Sequence, residues 1–259
     1  MRWLGLQVTA SPSQWLTMSD TASHGTAHRY AAYFAPAESS IWWEVGSRWI
    51  GRCAAQGRSL PQPVVPGVSS LVQQRLTRAP RRYGWHATLK APFALAPGVE
   101  FKALRDRLHD LCAGFEGFTL PGLKVQQFDD FLALVPEGDS GQLDGINAVA
   151  AACVTGLHAL AATLSPVELQ RRRAARLTPQ EDALLLRWGY PFVLDAFRFH
   201  MSLTGALGDT PPQVVDAIKA AATQCFDALP ACRFDSVALF AEPHPGADFE
   251  LVEHMRLGR

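Results

Sequence analysis

The sequence predicts an α+β fold built from two related halves, and three observations carry that prediction. The stretch Arg82-Tyr83-Gly84-Trp85-His86-Ala87-Thr88-Leu89-Lys90 has a near copy in Arg198-Phe199-His200-Met201-Ser202-Leu203-Thr204-Gly205. Both runs alternate large apolar with polar or small side chains at period two, the pattern of a strand with one buried face. Each is then followed by an amphipathic helix and two strands, and the spacing from His86 to Phe131 resembles that from His200 to Phe249. Two copies of one strand, helix, strand, strand unit give a pseudo-symmetric pair of lobes rather than a solenoid.

Composition supports a globular chain. Of 259 residues, 48% are hydrophobic and 19% charged, enough to bury a real core. Basic and acidic residues balance at 24 each, so no general attraction to nucleic acid or an anionic membrane is built in. Any anion must be held by a local cluster. The five cysteines are widely spaced without a C-x-x-C pair and read as reduced thiols of a cytoplasmic protein. No window approaches the roughly 18 apolar residues of a membrane span, and the first residues lack the apolar run of a secretory signal. Residues 1–28, polar and small from Ser19 to His28, are expected to be a flexible extension, with Met18 an alternative start.

In chain order, Arg29 to Ala35 is an aromatic-rich strand ended by Pro36, whose Tyr33 could face a site or pack in the core. Ser39-Ser40 suits a helix cap, followed by Ile41, Trp42, Val45, Trp49 and Cys53 at helical spacing. Pro61 to Gly67 is a breaker-rich loop, Ser69 to Arg78 a short helix, and Pro80 precedes the first histidine strand. After Pro97-Gly98, Phe101, Leu104, Leu108, Leu111 and Phe115 share a helix face; strands over 119–127 and 131–135 follow, joined at Asp129-Asp130. A helical insert over 140–189 separates the first lobe, centred on 80–137, from the second, centred on 190–256. In the insert, Leu143 to Leu160 form one stripe, and Ser165-Pro166-Val167-Glu168 and Thr178-Pro179-Gln180-Glu181 are capping boxes with proline at the first helical position. The Arg171-Arg172-Arg173 run with Arg176 reads as a solvated surface, with a phosphate-binding lid as the alternative. Past His200, Thr210-Pro211 with Gln213 predicts a capped helix carrying Val214, Ile218, Ala221 and Cys225 on one face, then strands over 233–241 and 249–253.

The paired strands suggest chemistry. On a regular strand His86, Thr88 and Lys90 share one face, and so do Arg198, His200 and Ser202. Histidine serves as both acid and base near neutral pH, so two of them flanking a reacting centre suit phosphodiester chemistry: one activates an attacking oxygen and the other protonates the leaving one. Thr88 and Ser202 could donate to non-bridging phosphoryl oxygens, with Lys90 and Arg198 adding positive charge. That arrangement requires neither metal nor cofactor.

Two strand-borne His-x-Thr/Ser motifs on a duplicated fold resemble the 2H phosphoesterase superfamily. The runs Arg29 to Pro36, Arg82 to Phe93, Leu184 to Leu194 and Phe197 to Gly205 are similar to a branch associated with phosphonate-utilisation genes. Ser202 stands where many members have threonine and keeps the hydroxyl. The resemblance implies one bilobal domain over 29–256, with two mainly antiparallel sheets, flanking helices and a central cleft between side-by-side histidine strands. It also implies a metal-independent hydrolase acting on a cyclic or linear phosphodiester of a nucleotide or phosphorylated ribose. In that reading His86 and His200 are catalytic, Thr88, Ser202, Lys90 and Arg198 bind phosphate, and Tyr33 and Tyr83 line the substrate. The expected partner is a small phosphodiester or nucleotide-like molecule, with no membrane and no extended nucleic-acid surface; a monomer is plausible. Two rivals remain: a non-catalytic module binding a nucleotide or RNA end, and a metal-dependent hydrolase. Against the latter, none of the eight histidines makes an H-E-x-x-H or H-x-H pattern.

Overall fold

The apolar run Arg29–Phe34 forms strand β1 and is buried along nearly its whole length: Tyr30, Ala32 and Phe34 enter the main core, while Ala31 and Tyr33 enter a smaller cluster on the other face. A strand buried on both faces belongs in a sheet interior. The computed structural model that shows this describes residues 25–128, 130–174 and 176–258, so most of the expected extension, including Met18, lies outside the described residues. Helix α1 (Ile41–Ile50) starts where the Ser40 hydroxyl accepts from the Trp42 N–H and stops at Gly51, which takes a left-handed φ of 80°. Trp42, Trp43 and Trp49 pack inward, whereas Ile41 is exposed and Cys53 sits in the short pair β2 (Arg52–Cys53) and β3 (Arg58–Ser59), not on the helix.

Helix α2 (Ser70–Tyr83) corrects the expected stop near Arg78, because it runs through Pro80. Proline at that position cannot donate to the carbonyl four residues back. Gly205 supplies the missing donor: its N–H reaches the Leu76 carbonyl at 2.6 Å, so the defect in α2 becomes an anchor for the chain leaving the second histidine. Strand β4 (Ala87–Phe93) and helix α3 (Phe101–Ala113) follow, with Leu104, Leu108 and Cys112 buried. Strands β5 (Phe118–Thr119), β6 (Leu123–Phe128) and β7 (Phe131–Pro136) replace the two expected strands. Helix α4 (Ser140–Gly156) opens on an Asp139/Gln142 capping box. The segment Gly141–Leu160, with mean hydropathy 1.3, is long and apolar enough to cross a membrane by length and composition, contrary to the expectation above. Its Ile146, Val149, Cys153 and Leu157 face the core, which accounts for that composition.

Helices α5 (Pro166–Arg173) and α6 (Pro179–Trp188) carry the expected capping boxes, and Gly189 ends α6 at φ 79°. Strand β8 has only two residues, Met201–Ser202. Helix α7 (Pro212–Phe226) begins after Pro211 without a side-chain cap; the Thr210 hydroxyl donates to the Leu207 carbonyl instead, so the expected Thr210/Gln213 box does not form. Strands β9 (Arg233–Phe234), β10 (Ser236–Glu242) and β11 (Glu250–Arg256) complete the fold.

The chain is α+β, but its main sheet is continuous, which corrects the expectation of two sheets. Seven antiparallel strands run in the order β11-β10-β1-β4-β8-β7-β6. The hairpin of the first unit, β6-β7, attaches to the histidine strand of the second, and the hairpin β10-β11 reaches the first histidine strand through β1. Each unit therefore completes the other's side of the sheet. A two-stranded pair, β5 with β9, ties the units together again.

Candidate functional site

The centre of the sheet sets the site. Ala87 pairs with Met201, and both are buried in the core. In an antiparallel pair, extending that register by one residue each way places His86 opposite Ser202 and Thr88 opposite His200 on the other face. Directly opposed side chains on one face have Cβ atoms about 5 Å apart. Two histidines and two hydroxyls thus alternate around a small square. Both histidines sit just before their strands rather than within them.

The same backbone device orients each ring. His86 Nδ1 lies 2.9 Å from the Gly84 carbonyl, and His200 Nδ1 lies 2.8 Å from the Arg198 carbonyl. A carbonyl can only accept, so Nδ1 carries the proton in both rings and a neutral ring presents Nε2 as an acceptor. At His86 that atom is 3.2 Å from the Thr88 hydroxyl. Gly84 can aim its carbonyl this way because it holds φ at 85°, with Ala54 close against the place a Cβ would occupy. Tyr33 stacks on His86 with ring centroids 3.8 Å apart, and Phe128 and Phe131 flank His200 at 5.6 and 5.5 Å. Burial, with a smaller contribution from His200, pushes His86 down to about 4 against the opposing bond to Gly84. Burial also lowers His200, against its bond to Arg198. Both shifts favour the neutral ring, whose Nε2 is then free of a proton and can accept a hydrogen bond.

A cleft of about 490 Å³ opens over His86, Thr88 and Ser202, walled by Tyr33, Tyr83 and Tyr190. His200 lies on an adjoining hollow of about 250 Å³ that shares Thr88, Phe131 and Tyr190 with the cleft. Positive charge comes from residues the motifs did not indicate: Arg29, Arg171 and Arg172 all line the cleft. Arg29 is fixed by Glu242, which is fully buried and also holds Arg82 and the Gly246 N–H. The arginine run of α5 divides in two, because Arg173 turns outward to Asp182 while Arg172 turns inward to the Gly189 carbonyl. Helical spacing of charges at consecutive positions was the available signal, since successive residues cannot share one face.

Two expected phosphate ligands are elsewhere. Leu89 is the extra residue of a β-bulge: Thr88 pairs with Tyr33 but Lys90 pairs with Ala32, so the alternation shifts and Lys90 turns onto the core side. It is buried there, away from the cleft. Arg198 points to the outer hollow beside His200 and donates to the Asp195 and Phe197 carbonyls. Tyr33 and Tyr83 do line the cleft. Among the described residues no group of three His, Cys, Asp or Glu side chains could hold a metal ion.

The chain is 40% identical over 232 residues to the ribose 1,5-bisphosphate phosphokinase PhnN of Janthinobacterium sp. (strain Marseille), a match over 88% of this chain and 50% of that protein. It is 37% identical over 223 residues to the protein of the same name in Laribacter hongkongensis (strain HLHK9), covering 86% of this chain and again 50% of the relative. The chain thus spans about half the length of the curated relatives it matches. A phosphokinase transfers a phosphoryl group, so these names overturn the expectation of a hydrolase acting on cyclic or linear phosphodiesters. The family described as "Protein of unknown function (DUF1045)" matches residues 88–250, from Thr88 of the first motif to the start of β11, and the chain belongs to that family.

Proposed function

We propose that the cleft binds a phosphorylated ribose as the acceptor in phosphoryl transfer, within phosphonate metabolism, and that the histidine pair handles the proton of the acceptor oxygen. The observation that carries this reading is the square of His86, Thr88, His200 and Ser202 beside three cleft-lining arginines. Arginines suit the phosphate groups of such a substrate, since their planar forks match phosphate oxygens. The neutral His86 Nε2 accepts the proton as the acceptor oxygen bonds to phosphorus and the donor's P–O bond breaks. Thr88 and Ser202 donate to the transferring group. The similarity to proteins named for ribose 1,5-bisphosphate supports the substrate class, and the resemblance of several runs to a phosphonate-associated branch supports the metabolic setting. The adjacent histidine strands also support a variant of the 2H fold. We assign the cleft to the acceptor because the sequence has no G-x-x-x-x-G-K-[ST] run of the kind that cradles a nucleotide's phosphates.

Calorimetric titration of ribose 1,5-bisphosphate into the full chain tests this. Binding that weakens about tenfold or more in Arg172→Gln, the usual weight of a charge-assisted bond, is the expected result. No binding, or binding indifferent to Arg172, overturns the reading.

A further inference from the structure

Lys90 was expected in the cleft and is instead 4% exposed beneath it. Its nearest recorded acceptor is the Val154 carbonyl at 3.4 Å, a long contact, and its ammonium also lies 4.9 Å from the centre of the Phe93 ring. A buried ammonium with so little compensation is costly unless something else answers its charge.

What adjoins it is a second cavity, of about 370 Å³, between β4, the end of α4 and α6. Lys90, His158, Arg172 and Arg187 line it, and among the described residues no aspartate or glutamate does. Its remaining wall is apolar and aromatic: Phe93 and Trp188 stand among alanines and leucines, and His158 meets the Trp188 ring edge-on at 4.9 Å. Arg172 borders both cavities and donates to the Gly189 and Pro92 carbonyls, and its buried Nε has no hydrogen-bond partner among the described residues. Three cationic side chains, the buried Lys90, the half-buried Arg172 and the exposed Arg187, therefore line a space large enough for a small molecule.

We propose that this cavity is a second binding site, for a phosphomonoester carried on an apolar or aromatic body. The phosphate dianion answers Lys90, Arg172 and Arg187, while the body packs against Phe93 and Trp188. Three cations favour a dianion over a single carboxylate. The site stands independently of the acceptor reading of the cleft, although Ala91, Pro92, Arg172 and Tyr190 border both.

Calorimetry on the full chain with phenyl phosphate, benzoate and benzyl alcohol tests the proposal. Phenyl phosphate binds the wild type and His86→Ala alike, and binds Lys90→Met and Arg187→Gln about tenfold or more weakly, in line with loss of one charge-assisted contact. Benzoate binds more weakly than phenyl phosphate, and benzyl alcohol does not bind. Arg187 is exposed, so its variant decides the matter if Lys90→Met does not fold. Unchanged affinity in both variants, equal or tighter binding of benzoate, or loss of binding in His86→Ala overturns it. Titration of ribose 1,5-bisphosphate into Lys90→Met separates the sites: retained binding there leaves the cleft reading intact whatever phenyl phosphate does.

Discussion

The two histidine regions share a backbone design and differ in everything around it. Each ring is aimed by a bond from Nδ1 to the carbonyl two residues earlier. His86, however, lies under Tyr33, within a wall that a buried carboxylate holds together: Glu242 joins β10 to Arg29 of β1 and Arg82 of α2. His200 rests between two phenylalanines of the β6-β7 hairpin, at the outer hollow, on a strand of two residues. The two imidazoles are oriented alike, while the elements around them give His86 a setting beside charged side chains and His200 an apolar one between phenylalanines.

The largest expected effect attacks the charged setting. Glu242→Ala leaves Arg29 and Arg82 without their buried partner and should cost about 3–5 kcal/mol, read by denaturant unfolding. If the loss is under about 1 kcal/mol, the value of an exposed pair, the carboxylate does not organise that wall. Next comes the support beneath His86. A Cβ on Gly46 of α1 would fall 2.1 Å from the Trp85 ring, so Gly46→Ala forces either the helix or the indole to move and should cost about 1–3 kcal/mol. Thermal melts check this, and the His200 ring should keep its chemical shifts.

The pH dependence sharpens the comparison further. Because the folded pKa of His86 is lowered to about 4 from an unfolded value near 6.5, the unfolded chain binds more protons between those values. The stability this neutral ring contributes is complete above pH 6.5 and is lost as pH falls toward 4. Melting temperature should drop over that window, and less steeply in His86→Gln; an unchanged slope would show that His86 titrates normally. The smallest effect concerns the hydroxyls. Thr88→Val removes the group on His86 Nε2 and should weaken ligand binding more than Ser202→Ala, measured by titration of ribose 1,5-bisphosphate.

Much of this was legible in the residues. Alternation around His86 and His200 located the central strands, and the capping boxes at Ser165 and Thr178 located α5 and α6. The pairing partner of each strand was not legible, because period-two alternation fixes a strand's faces and not its neighbours, so nothing in the residues corrected the two main sheets that the resemblance implied, where one seven-stranded sheet and two small pairs exist. Lys90 was misplaced because a bulge at Leu89 leaves no mark in composition. Arg29 was missed as a site residue because tertiary packing brings it to the cleft from outside the repeated motif, and Arg172 was named only in the less favoured reading of its run, because consecutive cations do not show which of them turns inward. The reaction class was not legible either, since two histidines and two hydroxyls suit hydrolysis and transfer alike, and only the relatives' names turned the reading away from hydrolysis.

The central claim is that the two histidine strands form one site for one ligand. Observing the ring carbons and nitrogens of His86 and His200 by NMR while titrating ribose 1,5-bisphosphate tests it most directly. Both rings should shift along a single binding curve with the same dissociation constant. Movement of only one ring, or two curves with different constants, would contradict it.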